Sequence, residues 1–182
     1  MSHRLLLPKY KTVKQYEKTG NFAIRRYYRW PYRFFYRHKL RMILDMMDKG
    51  RIYDNALDFG CGRAEIFKPS LDRFCVRVKC VDTLADVKPI YWKFELIICG
   101  SILEFLTIRT TMTMLRDMLK PRGQIVGASP MDTWSTRLYF RLIGDKKKRK
   151  THEEIMFWVR KNFRVLEYKE WFGLYFSFKA RL

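Results

Sequence analysis

NALDFGCGRAEIF, residues 55–67, is the stretch on which the fold turns. Its first half is a short apolar run of the kind that forms a buried strand, and it ends in Asp58-Phe59-Gly60-Cys61-Gly62-Arg63-Ala64, where a helix is expected to begin. Glycines at such a turn let backbone approach a ligand closely, and the N–H groups at a helix start favour polar or anionic ligand atoms. The plainer alternative is a tight strand-to-helix turn with no ligand at all.

Working outward, CVRVKCVD (75–82) is valine-rich and alternating, which predicts a strand ending at Asp82. FELIICG (94–100) is a continuous apolar run, as expected of a strand buried on both faces. Residues 102–120 place Leu103, Leu106, Met114, Leu115 and Met118 on one side of a helix that stops before Pro121. GQIVGAS (123–129) is the next strand. THEEIMFWVRKN (151–162) is a helix opened by a Thr151–Glu154 capping box, and FRVLEYKEW and LYFSFKARL close the chain as two strands. Upstream, Phe34, Phe35, Leu40, Ile43, Leu44 and Met47 mark an amphipathic helix over 33–49, and 64–74 has room for a short helix. Strands alternating with helices predict an α/β domain whose sheet is largely parallel, with an antiparallel last strand. In open sheets of this kind a ligand lies beyond the carboxyl ends of the strands. Asp82 is placed there to accept both hydroxyls of a ribose, so an adenosine-containing cofactor is implied; its plainer reading is a helix cap or a surface acid.

With these four motifs in order, the sequence resembles the class I S-adenosylmethionine-dependent methyltransferases. ALDFGCGRAEIF corresponds to the glycine-rich loop, VKCVDTL to the ribose acid, FELIICGSILEFL to the strand before the acceptor site, and MLKPRGQIVGASP to the helix, turn and fifth strand. The resemblance covers about residues 40–182 and implies a Rossmann-like three-layer sandwich with S-adenosyl-L-methionine as cofactor. It puts Asp58, Gly60 and Gly62 around the methionine moiety, Asp82 on the ribose, Thr83 beside the adenine, and the backbone of Cys99 and Gly100 near the amino group of the cofactor. The domain organisation expected is a basic, aromatic helical segment or lid over residues 1–49 that packs as one unit with a methyltransferase domain over 50–182.

The chain departs from the family pattern in three places. Ala64 stands where the third loop glycine belongs, and Phe105 where some relatives have a histidine after Leu-Glu, so no general base is assigned and the catalytic residues stay open. Only residues 83–93 lie between Thr83 and Phe94, too few for a helix and a strand. The third of the usual seven strands is therefore expected to be missing, leaving an abbreviated adenine pocket with Asp86 as the candidate for the adenine amino contact. His152 is the best candidate base by position, with a plain first-turn residue the alternative; Tyr10 and Tyr16 are weaker candidates.

The charge is uneven. The 182 residues hold 38 Lys+Arg and 18 Asp+Glu, a net +20, with 48% apolar and 16% aromatic residues. This excludes a disordered or disulfide-rich chain. Residues 1–50 hold 13 basic and 3 acidic side chains, whereas 51–100, which carry the loop and Asp82, hold 8 and 7. The excess sits in the arginine-aromatic stretch 21–41 and in KKKRK, 146–150. Both suit an anionic membrane surface or a nucleic acid, and both have a bland reading, a helix packed by its aromatics and a solvated loop. Cys61, Cys75, Cys80 and Cys99 lack metal-ligand spacing, so buried thiols in a reducing compartment and no metal are expected. The apolar run 94–106 is too short to span a bilayer, and the N-terminus lacks a secretory pattern, which predicts a cytoplasmic protein with peripheral access to membranes. Three functions follow: methyl transfer to a lipid-linked or small acceptor at an anionic surface, methyl transfer to RNA or another nucleic acid, or a degenerate fold serving as a scaffold.

Overall fold

The computed structural model describes residues 32–61, 67–82, 92–142 and 149–182. Gly62, Ala64, Thr83, Asp86, Tyr10 and Tyr16 lie outside these, as do residues 21–31 and 146–148 of the two basic stretches.

In chain order the elements are α1 (Tyr32–Met46), β1 (Tyr53–Phe59), α2 (Lys68–Leu71), β2 (Cys75–Val81), β3 (Phe94–Gly100), a 3-10 turn (Leu103–Phe105), α3 (Ile108–Met118), β4 (Leu119–Pro130), α4 (Trp134–Leu142), α5 (His152–Asn162), β5 (Arg164–Trp171) and β6 (Tyr175–Arg181). They build a six-stranded sheet in the order β2-β1-β3-β4-β6-β5. The first four strands of that order are parallel, and β6 runs antiparallel between β4 and β5. Among the described residues no strand lies beyond β2, whose edge position explains why its burial does not alternate as its valines suggest.

Two apolar layers flank the sheet. Leu40, Ile43, Leu44 and Met46 of α1, together with Leu71, pack on Ala56, Leu96, Ile98 and Val126. On the other face, Met112 and Leu115 of α3 and Ile155 and Val159 of α5 pack on Leu57, Ile97, Ile125 and Phe178. The central strand β3 is buried on both faces, as its continuous apolar run requires. Asp48, just past α1, ties that helix to the antiparallel strand through Lys179 Nζ and Arg181 Nη2, both at 2.6 Å.

One expectation needs correcting. The helix foreseen over 102–120 is broken: a 3-10 turn ends at Phe105, the backbone is extended at Leu106 and Thr107, and the α-helix proper runs only to Met118, with Lys120 and Pro121 already in β4. A further helix that the sequence reading did not assign, α4, precedes KKKRK, and its Thr136 N–H donates to the Thr133 hydroxyl at 3.3 Å in N-cap fashion. Thr151 caps α5 as foreseen, accepting from the Glu154 N–H at 3.1 Å, while the Glu154 carboxylate meets Lys150 Nζ at 3.0 Å. No helix of the described residues is long and apolar enough to cross a membrane.

Candidate active site

Strand register brings Gly60, Asp82 and Gly100 of the sequence-predicted residues to one rim. Phe59 stands beside Val81 on one side and Cys99 on the other, and Cys99 stands beside Gly127. One residue further along each strand come Asp82, Gly60, Gly100 and Ala128, four neighbours in a row at the carboxyl ends of the parallel strands. The Gly60 N–H donates to the Val81 carbonyl at 2.7 Å, which pins the start of the glycine loop against the residue preceding Asp82. Asp82 is exposed at this rim, and Asp58 is buried two positions back from Gly60. Cys99 is fully buried, and desolvation holds its thiol well above the ordinary range, so it is a packing residue rather than a nucleophile.

Gly60 has a positive φ of 80°, and a Cβ built there would lie 2.5 Å from Ile102 Cβ. The turn thus demands glycine whether or not a ligand is bound. Gly60→Ala is expected to cost about 2 kcal/mol, combining left-handed strain with overpacking, read from the urea midpoint.

A second group of side chains meets the same rim from the α1 face, and the sequence reading missed it. Lys39 of α1 is only 2% exposed and donates through Nζ to Ser101 Oγ at 2.7 Å. Its ammonium also lies 5.2 Å and 5.7 Å from the ring centroids of Tyr36 and Tyr175. Ser101, the residue after β3, has a φ of 65°, a strained value for a residue with a side chain, and its N–H donates to the Ala128 carbonyl at 2.8 Å. Glu104 is likewise buried; Ser129 Oγ donates to its Oε2 at 2.9 Å, and its backbone carbonyl accepts from Lys150 N–H at 3.0 Å. Burial pushes the Glu104 carboxyl above the ordinary carboxylate range, opposed by a backbone hydrogen bond, the Lys39 charge, the Ser129 hydroxyl and the Arg149 charge. The Arg149 guanidinium caps the Phe140 ring at 3.6 Å.

His152, the first residue of α5, lines an open groove with Met156, Tyr168 and Glu170, with its ring 6.2 Å from that of Phe176. Its buried Nδ1 has no hydrogen-bond partner among the described residues.

No family model and no curated protein matches the chain by sequence. Solved structures do match by shape. The N-methyltransferase NodS from Bradyrhizobium japonicum WM9, in complex with S-adenosyl-L-homocysteine, superposes with a TM-score of 0.63 at 18% identity, covering 92% of this chain and 96% of NodS. Magnesium protoporphyrin IX methyltransferase from Synechocystis PCC 6803, also with S-adenosylhomocysteine, gives 0.58 at 11% identity over 92% of each chain. Human N-acetylserotonin methyltransferase with S-adenosylmethionine gives 0.54 at 13% identity, over 80% of this chain and 56% of that one. The fold is that of the class I S-adenosylmethionine-dependent methyltransferases, and S-adenosylmethionine is the cofactor of this fold in those relatives.

Proposed function

We propose that this chain is an S-adenosylmethionine-dependent methyltransferase acting on a lipid-linked or other small acceptor at an anionic surface. The observation that carries the first part is the rim of Asp82, Gly60, Gly100 and Ala128, an exposed carboxylate and two glycines on adjacent strand ends. These residues fit the cofactor: Asp82 would hold the ribose hydroxyls, Gly60 with Gly62 and the Asp58 carboxylate the methionine portion, Cys99 and Gly100 backbone the amino group, and Thr83 the adenine. When bound, S-adenosylmethionine supplies an activated methyl whose departure leaves a neutral thioether.

The protein's own task is then placement and proton handling. Orienting an acceptor in line with the methyl supplies much of the rate for such a reaction. Lys39 fixes the Ser101 hydroxyl and Glu104 fixes that of Ser129, so two hydroxyls are held in set orientations beside the rim. A hydroxyl or amine acceptor gives up one proton as its bond to the methyl carbon forms. We assign that proton to Glu104, a carboxyl made more basic by burial, by way of the Ser129 hydroxyl that it accepts from.

The anionic surface is supported by the excess of basic side chains in residues 1–50 and 101–150, the two stretches that flank the nearly neutral loop segment. Calorimetry tests the reading directly. Saturable heat with S-adenosylhomocysteine, with a dissociation constant between about 1 μM and 1 mM, is expected for an enzyme of this kind. Absence of heat across that range refutes it and leaves a fold used as a scaffold. With binding in hand, transfer of labelled methyl to an anionic lipid extract rather than to RNA fixes the acceptor class.

A further inference from the structure

Helix α4 carries its apolar stripe on the outside. Thr136 and Phe140 are its buried residues, while Trp134, Leu138 and Leu142 are 78%, 47% and 75% exposed. Spaced four apart, these three fall within an arc of about 80° on a helix of 3.6 residues per turn. Arg137 and Arg141, both exposed, run along one edge of that arc.

The β5–β6 turn abuts the start of this helix. Thr136 Oγ1 donates to the Gly173 carbonyl at 3.0 Å, and the Thr133 hydroxyl donates to the same oxygen. The turn raises Phe172 into solvent, 84% exposed and with a φ of 46°, a conformation that disfavours bulky side chains. Beside it, Trp171 stacks on His38 of α1 at 4.3 Å, and the exposed Phe34 lies 5.9 Å from Trp171. Strand β5 runs parallel to β4, so Trp171 ends it at the same carboxyl edge as the candidate site. Three elements linked through this turn thus present exposed apolar side chains, which we take together as one ridge at that edge of the sheet.

We propose that this ridge docks the protein onto an anionic phospholipid surface, with Trp134, Leu138, Leu142 and Phe172 entering the headgroup boundary and Arg141, beside them on the helix, facing the lipid phosphates. Mixed aromatic and aliphatic side chains flanked by arginine are the composition of an interfacial helix. Nucleic acid suits the ridge less well, because Leu138 and Leu142 have no π-face on which a base stacks. The nearby acid Asp132 is paired with Arg137 through two hydrogen bonds, at 2.9 and 3.0 Å, so neither presents a bare charge to the lipid. The ridge deepens the proposed function by naming how the acceptor's surface is met, and in that respect rests on it.

Sedimentation of the full chain with phosphatidylglycerol-containing vesicles, against pure phosphatidylcholine vesicles, tests the ridge. The wild type is expected to partition to the anionic vesicles, and Trp134→Glu and Phe172→Asn each to weaken this at least about tenfold. Neither variant should lower the unfolding temperature, since glutamate favours the first turn of a helix and asparagine tolerates positive φ. No partitioning at low salt, equal partitioning of the variants, or binding that RNA competes away equally from wild type and variants overturns the proposal. S-Adenosylhomocysteine calorimetry on the same samples keeps the two claims apart: heat without vesicle binding removes the ridge alone, and vesicle binding without heat removes the methyltransferase reading alone.

Discussion

Replacing Asp82 by alanine is expected to weaken S-adenosylhomocysteine binding about 100-fold, because two hydrogen bonds to a charged carboxylate are lost at about 1.5 kcal/mol or more each and each 1.4 kcal/mol is a factor of ten. The side chain is exposed at the end of β2, so the fold should tolerate the change. Calorimetry reads the affinity and circular dichroism the fold. Asp82→Asn keeps an acceptor oxygen but not the charge, and should lose less, about tenfold. Affinity unchanged in Asp82→Ala would mean that the ribose does not lie at this rim, and the cofactor pocket described above would be wrong.

The rim was legible because its logic is local. A buried strand must end in a turn, the glycine turn is written in consecutive residues, and parallel register then carries Asp82 and Gly100 to Gly60 without further information. The Lys39–Ser101 contact was not legible for the opposite reason: its residues are 62 apart, and Lys39 sits in a basic run that reads as the wet face of α1. Only the packing of Leu40, Ile43 and Leu44 onto the sheet turns that lysine inward. Glu104 was less legible, because the family pattern points for a base to the next position, which here is Phe105. A glutamate inside an otherwise apolar run was itself a signal, since a carboxylate is rarely buried without partners. Helix α4 escaped because its most apolar side faces water, so the usual inference from apolar stripe to core points the wrong way. That failure is informative, as sequence rules tend to break where a surface serves something other than stability.

The same buried pair sets the other large effect. Lys39→Met keeps most of the side-chain length but removes a positive charge that favours the ionised form of the buried Glu104. Losing the charge-assisted hydrogen bond from buried Lys39 to Ser101, together with its field on Glu104, costs about 3 kcal/mol, and for a domain of this size each kcal/mol moves the unfolding temperature by about 2–4 °C. A fall of roughly 10 °C at pH 8 is therefore expected. The sign of its pH dependence follows from Glu104. Its folded-state affinity for protons is above that of the unfolded chain, so its contribution to stability is fully present below the unfolded pKa and is lost as pH rises through the folded one. Without Lys39 the folded value rises further, so the variant's deficit should be smaller at pH 5 than at pH 8, because the ionised carboxyl is the form that Lys39 favours. Thermal unfolding across that range measures it. Adding Glu104→Gln to Lys39→Met should flatten the pH dependence and restore part of the loss at pH 8, because a neutral amide can still accept from the Ser129 hydroxyl. A deficit that is the same at both pH values, or that the second substitution leaves untouched, would show that Lys39 contributes through packing against Tyr36 and Tyr175 rather than through its charge on Glu104.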